Sequence, residues 1–354
     1  MWKIEHRAYR LPFRAVIRTA HGPWALREGF LIRAEHASGV IGWGEAAPVA
    51  WFGTETLAEA AVALAGLKCE AVKLADALAR VPARAVTVRA GLAAALAEAD
   101  AVGDAAQTDQ KSSAEEPKFL TVAGLLPAGR AVLAAVTGRL ELGFRVFKWK
   151  VGVGDAADER AILDDLLAVL PSGAKLRLDA NGAWDVRTAK RWLALVAERS
   201  MIEYVEQPLA PDARGAEDAL RGLAADYPVT LALDESIAGA CDVERWLAAD
   251  WRGVWVIKPA LLGEPAPVLA KLAKARADVV FGSALETAVG ARAGLRLAFA
   301  WAAARPAAER RALGYGVWPL FVDSRAELGG AAGAFMRRED VERSAVEALW
   351  NALN

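Results

Sequence analysis

Between residues 118 and 318, short apolar runs rich in β-branched and aromatic residues alternate with longer segments whose apolar positions recur every three to four residues. The short runs are FLTVAGLL (119–126), RVFKWKVG (145–152), AKLRLDA (174–180), IEYVEQP (202–208), VTLALDE (229–235), GVWVIKP (253–259) and DVVFGSA (278–284), with a weaker eighth in ALGYG (312–316). Segments such as ADERAILDDLLAVL and TAKRWLALVAERS carry the helical period between them. Strand–helix alternation predicts parallel βαβ units. Eight strands over about 200 residues predict a (β/α)8-type barrel rather than an open doubly wound sheet.

The pattern changes on both sides of that stretch. Residues 1–115 set strands close together (AVIRT, EGFLIRAEH, GVIGWGEAA) ahead of Ala-rich helices, which predicts a separate α+β domain. GDAAQTDQKSSAEEP (103–117) is polar and ends in proline, so it reads as an exposed linker or mobile loop. Residues 319–354 leave the barrel rhythm and are expected to pack back on the first domain as a C-terminal tail.

Charged residues fall at a fixed phase of the repeat. In VFKWK, Lys148 and Lys150 point to one side of the strand, because side chains alternate with period two. Asp179, Glu206, Asp234 and Lys258 close the next four strands, at steps of 29, 27, 28 and 24 residues from Lys150. A barrel gathers all of these at its C-terminal mouth, where such folds carry their chemistry. One strand-end carboxylate is usually a helix cap or a rim ion pair. Three in successive strands, flanked by lysines, are not explained that way.

Asp179, Glu206 and Asp234 form an all-oxygen set that suits Mg²⁺, with Mn²⁺ as a possible substitute, and suits zinc poorly. All three histidines (His6, His21, His36) lie in the first domain and read as ordinary surface or loop residues, so a barrel histidine base is excluded. A metal held by the three carboxylates would bind a substrate carboxylate and stabilise the enediolate formed when the neighbouring carbon loses its proton. Like charges on one strand face disfavour each other's protonation, so Lys148 is expected to prepare and orient Lys150 as the base. Lys258 would face the substrate from the opposite side of the ring.

Composition narrows the partners. The formal net charge of −1, with 55% hydrophobic and 25% charged residues, gives no field for nucleic acid or an anionic membrane. The longest apolar runs, such as LAFAWAAA (297–304), are too short to span a bilayer. MWKIEHRAYRLPF has no apolar secretory core, so a cytoplasmic compartment is expected. Cys69 and Cys241 stand among alanines and leucines and read as small buried hydrophobes. A small-molecule carboxylate is the expected substrate, and oligomeric state is left open.

The motifs KWK (148–150), LDANGAW (178–184), EYVEQP (203–208), LDES (233–236) and IKPALLGE (257–264) resemble the enolase superfamily in its muconate-lactonizing-enzyme-like branch, and the likeness covers the whole chain. It implies an enolase-like, modified TIM barrel with an N-terminal α+β capping domain completed by the C-terminal tail. Within the branch, GWGEAAPVAWFGTET (42–56) and FGSALETAVG (281–290) are most similar to the o-succinylbenzoate synthases of menaquinone and phylloquinone biosynthesis. The resemblance implies Asp179, Glu206 and Asp234 as Mg²⁺ ligands, Lys150 as acid/base and Lys258 as a cation over the substrate ring. The reaction implied is dehydration of 2-succinyl-6-hydroxy-2,4-cyclohexadiene-1-carboxylate to 2-succinylbenzoate, a carbon–oxygen lyase (hydro-lyase) activity. Asn181 would support the site, loops 18–29 and 48–54 would close over the substrate, and Ser283 and Leu285 would meet its succinyl chain.

Two rival readings remain. An N-acylamino acid racemase or dipeptide epimerase would also use Lys150 and Lys258 across one carbon. Such enzymes usually carry an Asp-x-Asp near the eighth strand, where ALGYGVWPLFVDSR offers only Asp323. A dinucleotide-binding dehydrogenase is suggested by GVGDAA (152–157), but it leaves Glu206, Asp234 and Lys258 unexplained.

Overall fold

The computed structural model describes residues 2–19, 21–67, 74–105, 116–330, 332–343 and 346–353. Cys69 and positions 106–115 of the polar segment lie outside the described residues. Among the described residues, no helix is long and apolar enough to cross a membrane.

The chain opens with an antiparallel sheet in the order β1 (Trp2–Thr19), β2 (Gly22–His36), β3 (Ile41–Ala46). Helices α1 (Leu57–Ala65), α2 (Leu74–Arg80) and α3 (Val86–Ala105) follow. Thr56 and Glu59 start α1 with a reciprocal capping box. Strand β1 is longer than AVIRT, and its inward phase changes along its length. Trp2 and Ile4 pack with residues of α1 to α3, whereas Tyr9, Leu11 and Phe13 join the core shared with the barrel. GWGE on β3 explains how one strand serves both sides. A Cβ on Gly42 or Gly44 would stand within 2 Å of the α3 carbonyls of Ala95 and Gly91, so only glycine lets the helix lie directly on the strand. Trp43 and Glu45, at the alternate positions, turn toward the tail and the barrel instead.

After the short β4 (Phe119–Thr121) come β5 (Gly124–Leu126), β6 (Val146–Lys150), β7 (Lys175–Asp179), β8 (Ile202–Glu206), β9 (Leu231–Leu233), β10 (Val254–Ile257) and β11 (Asp278–Phe281). Strands β5 to β11 form one parallel sheet in chain order. Between them run α4 (Ala131–Glu141), α5 (Ala156–Val169), α6 (Val186–Val196), α7 (Ala216–Asp226), α8 (Ala240–Ala248) and α9 (Pro265–Lys274), with α10 (Ala288–Ala303) after β11. Burial follows the helical period: α6 buries Ala189, Trp192, Leu193 and Val196 on one face. The weak eighth run closes the ring by bridges rather than as a full strand. Leu313 pairs with Val122 and Gly314 with Gly282, and a Cβ on Gly314 would meet the Gly282 Cα at 3.3 Å.

The run 119–126 splits. Its first half, β4, leaves the barrel to pair antiparallel with β12 (Phe335–Arg337), ahead of α11 (Arg338–Glu342) and α12 (Val346–Ala352). Cys241 is exposed, contrary to its apolar surroundings in sequence, because the buried positions of α8 are Val243 and Trp246.

Candidate active site

Register partners Lys150, Asp179 and Glu206 lie side by side on β6, β7 and β8. Glu206 pairs with Ala232, which puts Asp234 just past β9 at the same mouth, and Lys258 follows β10 directly. None of the three carboxylates caps the next helix: Asp185 caps α6, and glycines 215 and 239 precede α7 and α8. Asp179, Glu206 and Asp234 are all buried.

Lys148 and Lys258 neutralise part of this charge. Lys148 Nζ lies 2.9 Å from Asp179 Oδ2 and 2.6 Å from Glu206 Oε1, and Lys258 Nζ lies 2.5 Å from Asp234 Oδ1. Among the described residues Lys150 has no such carboxylate partner. Burial alone would lower the Lys148 pKa, but Asp179, Glu206 and Asp234 outweigh it and push it well above its ordinary value. Lys148 is therefore held charged by the acids, opposite to the mutual depression expected for two lysines on one face. Burial pushes the Glu206 carboxyl well above its usual range, and the charges of Asp179 and Asp234 add to that against Lys148. Asp234 is held low, because Lys258 and Lys148 outweigh its burial.

Asn181 stands in the left-handed region (φ 43°), where its N–H donates to Asp179 Oδ1 at 3.0 Å. Its Nδ2 donates to Glu235 Oε1 at 2.9 Å, while Asn181 Oδ1 and Glu235 Oε2 are buried without partners. Burial first, then Asp234 and Asp179, push Glu235 to about 7. Glu235 was not singled out in the sequence, since it has the opposite strand parity to Asp234; the unmet hydrogen-bonding capacity of Asn181 is the signal for it. Among the described residues the carboxylates are not drawn into a ready three-ligand cage, since lysines stand between them. Their donor chemistry nonetheless fits a hard divalent cation: oxygen ligands only, buried, with the charges of Asp179 and Asp234 raising the proton affinity of Glu206.

The first domain reaches this mouth. Phe52, in the 48–54 loop, places its ring centroid 4.1 Å from Lys258 Nζ. Ser283 is buried, with its hydroxyl donating to Glu286 Oε2 (2.8 Å) and accepting from Leu285 N (2.9 Å), so it is engaged within its own turn. Leu285 has φ 60°. Around GVGDAA, the N–H groups of Gly152, Val153 and Gly154 donate to the Glu159 carboxylate at 2.9 to 3.0 Å. An internal anion thus takes the place a dinucleotide phosphate would need. Asp323 pairs with Arg325 and caps a short turn.

Residues 131–330 match the family described as enolase C-terminal domain-like, and residues 1–99 match the MenC N-terminal domain. The o-succinylbenzoate synthase of Thermosynechococcus vestitus is 37% identical over 326 residues, covering 89% of this chain and 91% of that protein. The chain belongs to the o-succinylbenzoate synthase family of the enolase superfamily. It is an enzyme rather than a binding module on a barrel scaffold. A crystal structure of o-succinylbenzoate synthase from Thermosynechococcus elongatus, with Mg in its active site, superposes with a TM-score of 0.81 at 35% identity, covering 99% of this chain and all of that one. A hydrophobic dipeptide epimerase of Roseobacter litoralis is 31% identical over 68% of this chain and 71% of its own length. The Bacillus subtilis L-Ala-D/L-Glu epimerase (TM-score 0.78, 19% identity, 95% of each chain) shares the fold.

Proposed function

We propose that this protein is a hydro-lyase that converts 2-succinyl-6-hydroxy-2,4-cyclohexadiene-1-carboxylate to 2-succinylbenzoate in menaquinone or phylloquinone biosynthesis. The observation that carries the reading is the placement of Lys150 and Lys258 four strands apart, on β6 and after β10, across a ring of three buried carboxylates. Asp179, Glu206 and Asp234 would hold Mg²⁺, or Mn²⁺ in its place. The bound cation supplies positive charge beside the substrate carboxylate as the α-proton leaves.

Lys150, which among the described residues has no carboxylate partner, would take that proton. Its conjugate acid then donates to the departing hydroxyl on the same face, and aromatisation favours the loss. Lys258 presents its ammonium to the ring from the other side and stabilises negative charge there without moving a proton. Lys148 holds Asp179 and Glu206 in place, and Asn181 fixes the Asp179 carboxylate from behind. Phe52 and its loop cover Lys258 and exclude water from the charge that develops.

A second reading, dipeptide epimerisation, is favoured by the Roseobacter relative. It uses the same two lysines, but the only acid near the eighth strand in VWPLFVDSR, Asp323, is tied to Arg325. The deciding experiment supplies the cyclohexadiene carboxylate with Mg²⁺ and follows the aromatic product, with Lys150→Ala as control. Product from the wild type and none from the variant supports dehydration. No product, with α-proton exchange of dipeptides in deuterated solvent, would transfer the assignment to the epimerases.

A further inference from the structure

We propose that Arg27 is a positioning residue that sets the spacing between two walls of the substrate pocket, a role that rests on the dehydratase reading above. Arg27 is 1% exposed, and among the described residues no carboxylate pairs with it. Among the described residues its hydrogen bonds all go to main-chain carbonyls. Nε donates to Leu285 O at 3.0 Å and Nη2 to Ala284 O at 3.4 Å, both in the turn after β11. Nη2 also donates to Ala47 O at 2.6 Å, and Nη1 to Pro48 O at 2.9 Å and Glu28 O at 3.2 Å. One planar fork therefore joins the β2 strand, the start of the loop that carries Phe52, and the turn of Ser283 to Leu285.

That turn needs an external hold. Leu285 sits at φ 60°, a left-handed conformation in which its Cβ crowds the neighbouring carbonyl oxygen. Within the turn, the Ser283 hydroxyl accepts the Leu285 N–H, which fixes one end only. The Leu285 carbonyl is fixed by Arg27, from the other domain. Strained backbone that the surroundings over-determine is the form expected of a ligand-facing wall. The acids and lysines of the reacting centre lie on β6 to β10, and the Arg27 hydrogen bonds do not touch them. Arg27 thus governs the fit of the substrate's far end against the wall opposite Phe52, and leaves the proton transfers alone.

Lysine keeps the charge and stem of Arg27 but cannot span both walls. Arg27→Lys should raise KM at least about tenfold, with kcat within about threefold and Mg²⁺ affinity within about twofold of wild type. Amide exchange of the Mg²⁺-loaded protein should accelerate at 283–287 and 47–50 together. In a Leu285→Gly background, where the left-handed strain is gone, the KM effect of Arg27→Lys should shrink below about threefold. A KM within about twofold of wild type, equal effects in the two backgrounds, or unchanged exchange at 283–287 overturns the proposal. Arg27→Gln takes the place of the lysine variant if the latter does not fold. A wild type that makes no 2-succinylbenzoate sinks the proposed activity instead, and the exchange measurement then decides the role of Arg27 alone.

Discussion

The side-chain carbonyl of Gln207 accepts the main-chain N–H groups of Asp234 and Ser236, each at 3.0 Å. Gln207 is fully buried at φ 38°, one residue beyond Glu206, and its Nε2 donates to Leu209 O and Ser236 Oγ at 2.8 Å. One amide therefore sets the position of Asp234 relative to Glu206. Gln207→Leu leaves two buried N–H groups unpaired, at about 1–3 kcal/mol each. If Asp234 and Glu206 hold the cation as proposed, Mg²⁺ affinity should fall about tenfold to a hundredfold. Calorimetric titration with Mg²⁺ and urea unfolding separate the two effects.

Lys258 divides its ammonium between Asp234 and the Phe52 ring. Replacing Phe52 by Leu keeps apolar bulk but removes the negative ring face. A cation–π contact is worth about 0.5–2 kcal/mol, so kcat/KM should fall roughly twofold to thirtyfold. In a Lys258→Met background the same change should cost nothing further. Steady-state rates of the four forms test this, and a full additional loss in the double variant would detach Phe52 from Lys258.

The placement of the acids and lysines was readable from the chain because a parallel βα repeat converts sequence spacing into position around a ring. Lys150, Asp179, Glu206, Asp234 and Lys258 needed no knowledge of packing to be placed at one mouth. What escaped was set by contacts distant in sequence. Strand β4 pairs with β12 more than 200 residues later, which no local alternation reveals. Arg27 looks like a surface charge in LREG until the carbonyls of Ala284 and Leu285 are seen beside it. Period-two alternation puts the two lysines of KWK on one side, but the electrostatics of Lys148 depend on the acids of the neighbouring strands, which raise its pKa rather than lower it.

At the closing seam of the barrel, Glu203 lies between two guanidiniums. Arg177 Nε donates to it at 2.7 Å and Arg311 Nη1 at 2.6 Å, while Arg311 also grips Asp278 and Arg177 donates to Ala312 O. Burial pushes Glu203 up, but the two arginines outweigh it and hold it below its ordinary value of 4.5. A carboxyl with a depressed folded pKa contributes stability above its unfolded value and loses it as pH falls through the folded one. Glu203→Gln should therefore cost about 3 kcal/mol near neutrality, since the buried Arg177 loses its counter-charge while Arg311 keeps Asp278. The difference from wild type should shrink as pH drops below 4.5, and melting curves over that range check the sign.

The tail is fastened by aromatic and cationic contacts at its last helix. Trp350 on α12 packs edge-on against Trp43 of β3 at 5.4 Å, and the Arg7 guanidinium lies 4.5 Å over the Trp350 ring. Arg7 Nη1 also donates to the carbonyls of Trp350 and Leu353 at 2.7 and 2.8 Å, satisfying the end of the helix. Trp350 is buried, so Trp350→Ala should cost about 3–5 kcal/mol. Arg7→Ala should cost less, about 1–3 kcal/mol for hydrogen bonds from a charged donor. Because Trp43 neighbours Glu45, which accepts the Thr287 N–H at the start of α10, loosening the tail should also speed amide exchange at 287–290. Neither change touches the acids or lysines of the mouth, so KM at a temperature where the variants remain folded should stay within about twofold of wild type. Altered KM with unaltered exchange at 287–290 would mean that the tail acts on the pocket by another route.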